Sequence, residues 1–382
     1  MKIAVLKETE VEEKRIAVTP DIVKKYIENG FKVGIEKGAG KDAGISDEEF
    51  IKAGAEISSI PLEVLGDADI LIRVKSKESN TIDISQYLRP ETIIISLLDP
   101  YNNREVLTKY QTNNFTSFAL ELIPRITRAQ SMDVLSSQSN LAGYRAVIEA
   151  VYELEKVVPM LMTAAGTVSP AKFLIIGAGV AGLQAIATAK RLGGVVSAFD
   201  VRKAAKEQVE SLGARFIEVD DIASGEAESG YAKEMNEEYK RKQSELIART
   251  IKESDVVITT ALVPGGKKAP ILVTKEMVES MKSGSIVVDL AAISGGNCSE
   301  TIPGQIHTFK GVKIIGYQDI VSKVTRDASR LFAKNIFNFI SLLYNKSDKT
   351  LEIDLEDEII RESLVTYKGK LMKSNFLGEK NV

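Results

Sequence analysis

Three glycines, Gly177, Gly179 and Gly182, follow the apolar run Phe173 to Ile176 and open an apolar-periodic helix that reaches Leu192. This spacing between a strand and a helix suits a site that brings main-chain amides against a diphosphate. Each glycine has a mechanical task. Gly177 permits a tight turn, Gly179 lets the backbone approach a pyrophosphate, and Gly182 lets the helix lie close on the strand. A second strand, Gly194 to Phe199, ends at Asp200, whose carboxylate can accept hydrogen bonds from both hydroxyls of an adenosine ribose. A 2′-phosphate would meet like charge there, so NAD is expected over NADP, although Arg202 lies two residues on. The glycine motif alone is weak evidence. Strand, helix, strand and terminal acid in order make a dinucleotide-binding βαβ unit.

Groups suited to acid–base chemistry are scarce. The single histidine, His307, lies in Gly304-Gln-Ile-His-Thr-Phe-Lys, which reads as a strand edge after a Pro-Gly turn. Dehydrogenases acting on hydroxy or amino acids usually need a general acid or base near neutral pK, and His307 is poorly placed to be one. The single cysteine, Cys298, has no histidine to activate it and reads as a packed, inert thiol. The dense polar segment runs from Leu122 to Arg145. There Arg125 and Arg128 can form charge-assisted bonds to phosphate or carboxylate, while Gln130 and Ser136 can fix an amide or a ribose. The same segment also reads as a capped helix start, with Asp133 or Ser131 as cap and Arg125 paired locally.

Elements must position these groups, and the 382-residue chain is long enough for two domains. In the first half, strand-like runs Lys2 to Leu6, Lys32 to Glu36, Ile70 to Val74, Thr92 to Ser96 and Thr116 to Ala119 alternate with helical segments near 20–29, 47–53 and 104–112. The second half repeats the plan with Phe173 to Ile176, Val195 to Phe199, Arg215 to Glu218, Val256 to Thr259, Ser285 to Asp289 and Val312 to Ile315. Met132 to Met162 reads as a long connecting helix broken near Pro159, and Arg326 to Leu343 as a second helix returning to the first domain. The expected fold class is α/β, two Rossmann-like domains with parallel sheets joined by long helices around a cleft. The expected domains are 1–135 with about 326–382, and 136–325, the NAD-binding domain including the connecting helix.

A formal net charge of −3 and no basic stripe interleaved with aromatics argue against nucleic acid. No apolar stretch reaches the length of a membrane span, and the N-terminus has no signal-peptide pattern, so the default expectation is cytosolic. One cysteine excludes an internal disulfide and a multi-cysteine metal site, and no metal is expected.

Longer runs carry a resemblance. Pro124-Arg-Ile-Thr-Arg-Ala-Gln-Ser-Met-Asp-Val-Leu-Ser-Ser-Gln-Ser-Asn, Met162-Thr-Ala-Ala-Gly-Thr-Val, Gly177-Ala-Gly-Val-Ala-Gly-Leu-Gln and Gly230-Tyr-Ala-Lys-Glu-Met closely resemble the NAD(H)-binding domain I of proton-translocating nicotinamide nucleotide transhydrogenase. The likeness also takes in Arg15-Ile-Ala-Val-Thr-Pro, Thr259-Thr-Ala-Leu-Val-Pro-Gly and Gly295-Gly-Asn-Cys, and covers roughly residues 1–345. It implies that hydride passes directly between NAD(H) here and NADP(H) on a partner domain III, with a membrane domain II coupling the exchange to proton movement. Such transfer needs apposed nicotinamide rings shielded from water and no acid or base, which accounts for the missing histidine.

The resemblance also implies site residues. Arg125, Gln130 and Asp133 form the signature loop, with Arg125 near NAD(H), Gln130 toward the partner's nucleotide and Ser136 at the nicotinamide. Tyr231, with Gly230, matches a mobile loop that folds over bound nucleotide. Thr127, Arg128, Val180, Ala181, Val201, Arg202, Ala261 and Leu262 complete the expected cofactor-binding set beside the three glycines and Asp200. A homodimer, placed on the cytoplasmic side of the inner membrane through its partner subunits, is implied as well.

Two other readings remain. Arg15 and Lys75 resemble the substrate-carboxylate and catalytic lysine positions of the related alanine dehydrogenases, but the histidine expected in the next strand-end loop is absent from Ser96-Leu-Leu-Asp-Pro. A non-catalytic NAD-binding sensor is the third reading. After Leu342-Leu-Tyr-Asn-Lys comes a charged segment, 347–382, where many α chains continue into membrane helices. The chain thus resembles either a separately encoded soluble subunit or a piece of a longer α chain, and composition does not distinguish the two.

Overall fold

The computed structural model describes residues 1–10, 12–76, 83–219, 237–263, 265–373 and 376. The chain divides into two compact units, Met1–Gln138 with Ser322–Val382, and Ser139–Val321.

The first unit is built on an eight-stranded sheet. Its order is Lys370–Leu371, Leu364–Tyr367, Thr116–Ala119, Ile93–Leu97, Ile70–Lys75, Lys2–Val5, Lys32–Glu36 and Glu56–Ser58. The inner strands are isoleucine- and valine-rich and buried along their length, as strands covered on both faces must be. The helix Thr325–Leu343 lays Phe332, Ile336, Phe339, Ile340 and Leu343 into this core, and the Phe339 ring meets Phe118 at 5.2 Å. On the other face, the helix Arg104–Thr112 buries Val106, Leu107 and Tyr110 among Leu71, Ile94 and Phe115.

The second unit has a seven-stranded sheet ordered Arg215–Phe216, Val195–Phe199, Lys172–Ile176, Val256–Thr259, Ile286–Asp289, Val312–Ile315 and Ile306–Phe309. Leu174, Val257, Val287 and Ile314 point to a core shared with Ile247 and Ile251 of the helix Glu237–Glu253.

The α/β fold with two sheets matches the sequence reading, and the sheets are mostly rather than wholly parallel. Leu364–Tyr367 pairs antiparallel with Thr116–Ala119, and Ile306–Phe309 pairs antiparallel with Val312–Ile315. Both antiparallel strands lie at or near a sheet edge; Ile306–Phe309 joins Val312–Ile315 by a short reversal, whereas Leu364–Tyr367 returns from far along the chain. The connecting helix also needs correction. It spans Val134–Glu153, and Pro159 lies beyond its end. The remaining segment folds back as a hairpin of Leu161–Thr163 on Gly166–Val168, turned by Gly166 at φ 133°. The β-branched pair Val157-Val158 ahead of Pro159 disfavours any resumption of helix before the hairpin. No helix among the described residues is long and apolar enough to cross a membrane.

Candidate functional site

In the second unit, the strand Lys172–Ile176 lies between Val195–Phe199 and Val256–Thr259, so the strand order reverses across it. A crevice at the carboxyl ends of such strands is where open α/β sheets bind ligands. The glycine turn occupies that point. Gly177 has φ 98°, and a β-carbon there would lie 2.4 Å from Thr260 Oγ1. A β-carbon on Gly182 would come within 1.8 Å of the Gly177 carbonyl oxygen, so only glycine lets the helix Val180–Arg191 seat this closely. Gly179 differs. It has φ −75° as the helix N-cap, and a β-carbon there would meet nothing within 4 Å among the described residues. Its open side faces away from protein, where a diphosphate can reach the first-turn amides of Val180, Ala181 and Gly182.

The sequence reading missed Gly143. A β-carbon on it would lie 2.0 Å from the Ala181 carbonyl oxygen, so the helix Val134–Glu153 crosses directly on the first turn of the glycine-led helix. A glycine deep inside a helical pattern was the available signal, since it costs helix stability unless another backbone approaches.

Asp200 is half-buried at the end of Val195–Phe199. Its Oδ2 accepts from the Ala178 N–H at 2.7 Å and from an Arg202 terminal nitrogen at 3.0 Å, and its Oδ1 accepts from Arg202 N and Nε at 2.8 and 3.0 Å. These four bonds match the lone-pair capacity of a carboxylate. A ribose diol can be accepted only if the Arg202 fork lets go. Val201 between them is partly exposed. On the other side of the glycine turn, Thr260 Oγ1 donates to the Gly177 carbonyl at 3.1 Å, and Ala261 and Leu262 follow, Leu262 exposed. Gly230 and Tyr231 lie outside the described residues.

The remaining expected residues belong to the first unit. Arg125 and Gln130 are exposed on the segment that leads into the connecting helix, as is Thr127. Arg128 is committed to Asp357 through two bonds, at 2.6 and 2.9 Å, which hold the Asp357 carboxyl below its usual range. Asp133 accepts from Ser136 N at 2.8 Å and Ser136 Oγ at 2.6 Å, so it caps the helix start. The capping half of the local alternative describes Asp133, Arg125 is engaged by partners of its own, and Arg128 pairs with a residue far along the chain. Four residues before Arg125, Glu121 Oε1 accepts from the amides of Leu98 and Asp99, while its buried Oε2 has no partner among the described residues. Burial pushes its pKa up to about 7, with the Asp99 charge adding to the shift against the lowering effect of the amides.

Arg15 and Lys75 converge on one acid. Arg15 is buried, with Nε and a terminal nitrogen on Glu13 at 2.8 and 2.6 Å and its other terminal nitrogen on Gln138 at 2.9 Å. Lys75 lies 3.2 Å from the same Glu13 carboxylate. Cys298 is buried and its thiol is pushed up to about 11 by burial, which makes it a poor nucleophile. His307 sits in the antiparallel edge strand Ile306–Phe309.

Family models for the alanine dehydrogenase/PNT N-terminal and C-terminal domains match residues 4–142 and 146–374. The chain belongs to the alanine dehydrogenase/PNT family. Among its members, the first portion of the NAD(P) transhydrogenase subunit alpha of Rhodospirillum rubrum is 49% identical over 99% of this chain and 100% of its own length. The crystal structure of a transhydrogenase from Sinorhizobium meliloti superposes with a TM-score of 0.87 at 44% identity, covering 97% of this chain and 100% of that one. Alanine dehydrogenase 1 of Staphylococcus aureus is 30% identical over 97% of this chain and 94% of its own length. The transhydrogenase subunits are therefore markedly nearer than this dehydrogenase.

Proposed function

We propose that this chain is the NAD(H)-binding component of a proton-translocating NAD(P) transhydrogenase. Bound NAD(H) supplies the hydride chemistry, exchanging hydride with NADP(H) held by a partner domain III, and membrane subunits couple the exchange to proton movement. The observation that carries this reading is the glycine turn at the reversal of strand order, in a chain 49% identical across its length to the first portion of a transhydrogenase alpha subunit.

The chain's own residues bind and orient. Val180, Ala181 and Gly182 offer amides to the diphosphate over Gly179, and Asp200, released by Arg202, takes the adenosine ribose. Ala261 and Leu262 wall the site. The family likeness assigns Arg125, Thr127, Arg128, Gln130, Asp133 and Ser136 of the first unit to cofactor binding as well. Excluding water and holding two rings at near-attack distance is the whole catalytic demand, so no general base is required. A homodimer is included in the proposal. The hairpin 161–168 is exposed along both strands, with Met160, Leu161, Met162 and Val168 open to solvent, an apolar projection of the kind that a second copy covers. Attachment to the cytoplasmic face of the membrane follows from the partner subunits.

The test mixes the purified chain with an NADP(H)-loaded transhydrogenase domain III, NADH and a reducible NAD analogue, with L-alanine plus NAD as a parallel assay. Hydride exchange without alanine oxidation is the expected result. Alanine-dependent NADH formation would replace this reading with the dehydrogenase, and NADH binding with silence in both assays would replace it with a sensor.

A further inference from the structure

The loops after the fourth and fifth strands of the second unit are tied together by one side chain. Asn297 is fully buried. Its Oδ1 accepts from the Ala261 N–H at 2.9 Å, and its Nδ2 donates to the Ala261 and Pro270 carbonyls, both at 2.9 Å. Acceptor and donor on the same residue copy the two-bond pairing of facing strand residues, so the amide acts as one missing rung of sheet. The orientation of the amide is fixed by that pattern, because a flipped group would set N–H against N–H at Ala261. The main chain of Asn297 is equally engaged. Its carbonyl accepts from the Leu272 and Val273 amides at 2.8 and 2.9 Å, and its N–H donates to the buried Asp289 carboxylate at 2.8 Å. Asp289 in turn accepts from Thr259 Oγ1, Ala291 N, Cys298 N and Thr301 Oγ1, so the hub stands on a saturated base.

Sheet order says which end of a dinucleotide this hub governs. Asp200 follows the strand on one side of Lys172–Ile176, and Thr260-Ala261 follows the strand on the other. An NADH with its adenosine at Asp200 and its diphosphate at the glycine turn must run its nicotinamide half across Ala261 and Leu262. From this geometry we propose that Asn297 is a positioning residue, which sets the Ala261–Leu262 wall against the nicotinamide half of the dinucleotide without touching it. The inference rests on the NAD(H) reading above.

Two variants and two ligands test it in the full chain. Asn297→Asp keeps the shape but turns both donated bonds into facing oxygens, and Asn297→Ala removes all three bonds. NADH is titrated by its nicotinamide fluorescence, and 5′-ADP, which carries only the adenosine and diphosphate, by calorimetry. NADH affinity falls by about tenfold or more in both variants. Affinity for 5′-ADP stays within about twofold, a split that a general loss of structure does not produce. Parallel weakening of both ligands, NADH affinity within about twofold of wild type in a folded variant, or failure of both variants to fold would each overturn the inference. Failure of the wild-type chain to bind NADH would instead overturn the NAD(H) reading itself.

Discussion

Alanine at Gly179 and alanine at Gly182 have opposite signatures, because the two glycines are required by different neighbours. A β-carbon on Gly182 would lie 1.8 Å from the Gly177 carbonyl oxygen, well inside any ordinary carbon–oxygen contact. The helix Val180–Arg191 would have to retreat from a buried turn, and overpacking of this kind costs about 1–3 kcal/mol, here at the upper end. Gly182→Ala therefore lowers Tm by roughly 5 °C or more and weakens NADH binding with it. Gly179 sits at φ −75°, ψ −166°, which any residue adopts, and its β-carbon would meet no atom of the described residues within 4 Å. The loss of unfolded-state freedom favours Gly179→Ala by about 0.4–1 kcal/mol, and a poorer N-cap offsets some of this. Its apo stability stays within about 0.5 kcal/mol of wild type. The added methyl nevertheless stands where the diphosphate approaches, so NADH affinity falls at least about tenfold, or about 1.4 kcal/mol. Thermal melts of the apo chains and NADH fluorescence titrations read both quantities. Gly179→Ala binding NADH as tightly as wild type would refute the placement of the diphosphate, and an unchanged Tm for Gly182→Ala would refute the packing role.

Three further outcomes follow from other regions of the molecule. Asp200→Ala frees Arg202 and removes the ribose acceptor, so NADH affinity drops about tenfold while the preference against NADPH relaxes, read by paired titrations; unchanged discrimination would show that Asp200 does not face the ribose. Met162→Asp in the exposed hairpin places a charge on the apolar projection, and light scattering should show the dimer shifting to monomer at micromolar concentration without loss of helix content. Glu121 has its pKa raised to about 7 from 4.5, so the folded chain binds the proton more tightly than the unfolded one. Its contribution, on the order of 3 kcal/mol, is complete below about pH 4.5 and is lost as pH rises through about 7. Glu121→Gln should accordingly gain relative stability between about pH 5 and 8 in urea melts, and parallel pH profiles for variant and wild type would exclude the buried carboxyl as the source.

What the sequence made legible was carried by short-range pattern. Strands Lys32–Glu36, Thr116–Ala119, Val195–Phe199, Val256–Thr259 and Val312–Ile315 fall where the sequence places them, most plainly Val256–Thr259, because a strand buried on both faces is written as a near-continuous hydrophobic run. The hairpin 161–168 was hidden by the reverse effect. Its residues are as apolar as a helix core, and nothing local says that they lie exposed. The strand Leu364–Tyr367 was invisible for a topological reason, since its partner Thr116–Ala119 lies far back along the chain.

The site divides along the same line. The glycine turn is a local device, so its spacing alone announces the turn and the close approach of helix to strand. Hubs such as Asn297 and Gly143 work through backbones that arrive from other elements, and their residue types carry no periodic signature. Side-chain assignments made from chemistry alone were the least secure. Arg128 has the charge to hold a phosphate, yet Asp357 takes both of its forks; Asp200 has the geometry to hold a ribose, yet Arg202 fills its lone pairs. Asp357 is a neighbour that only the folded chain supplies, whereas Arg202 lies two residues from Asp200 and is visible in the sequence. Asp357 caps its helix through the Ile359 and Ile360 amides whether or not Arg128 is bound to it, and Arg128 is 53% exposed. Arg202 and Asp200 are less exposed, at 28% and 7%, so a ribose there must displace two charge-assisted bonds of a partly buried pair. The stiffer competition therefore faces a ribose at Asp200, because a phosphate that drew Arg128 away would leave the Asp357 cap in place.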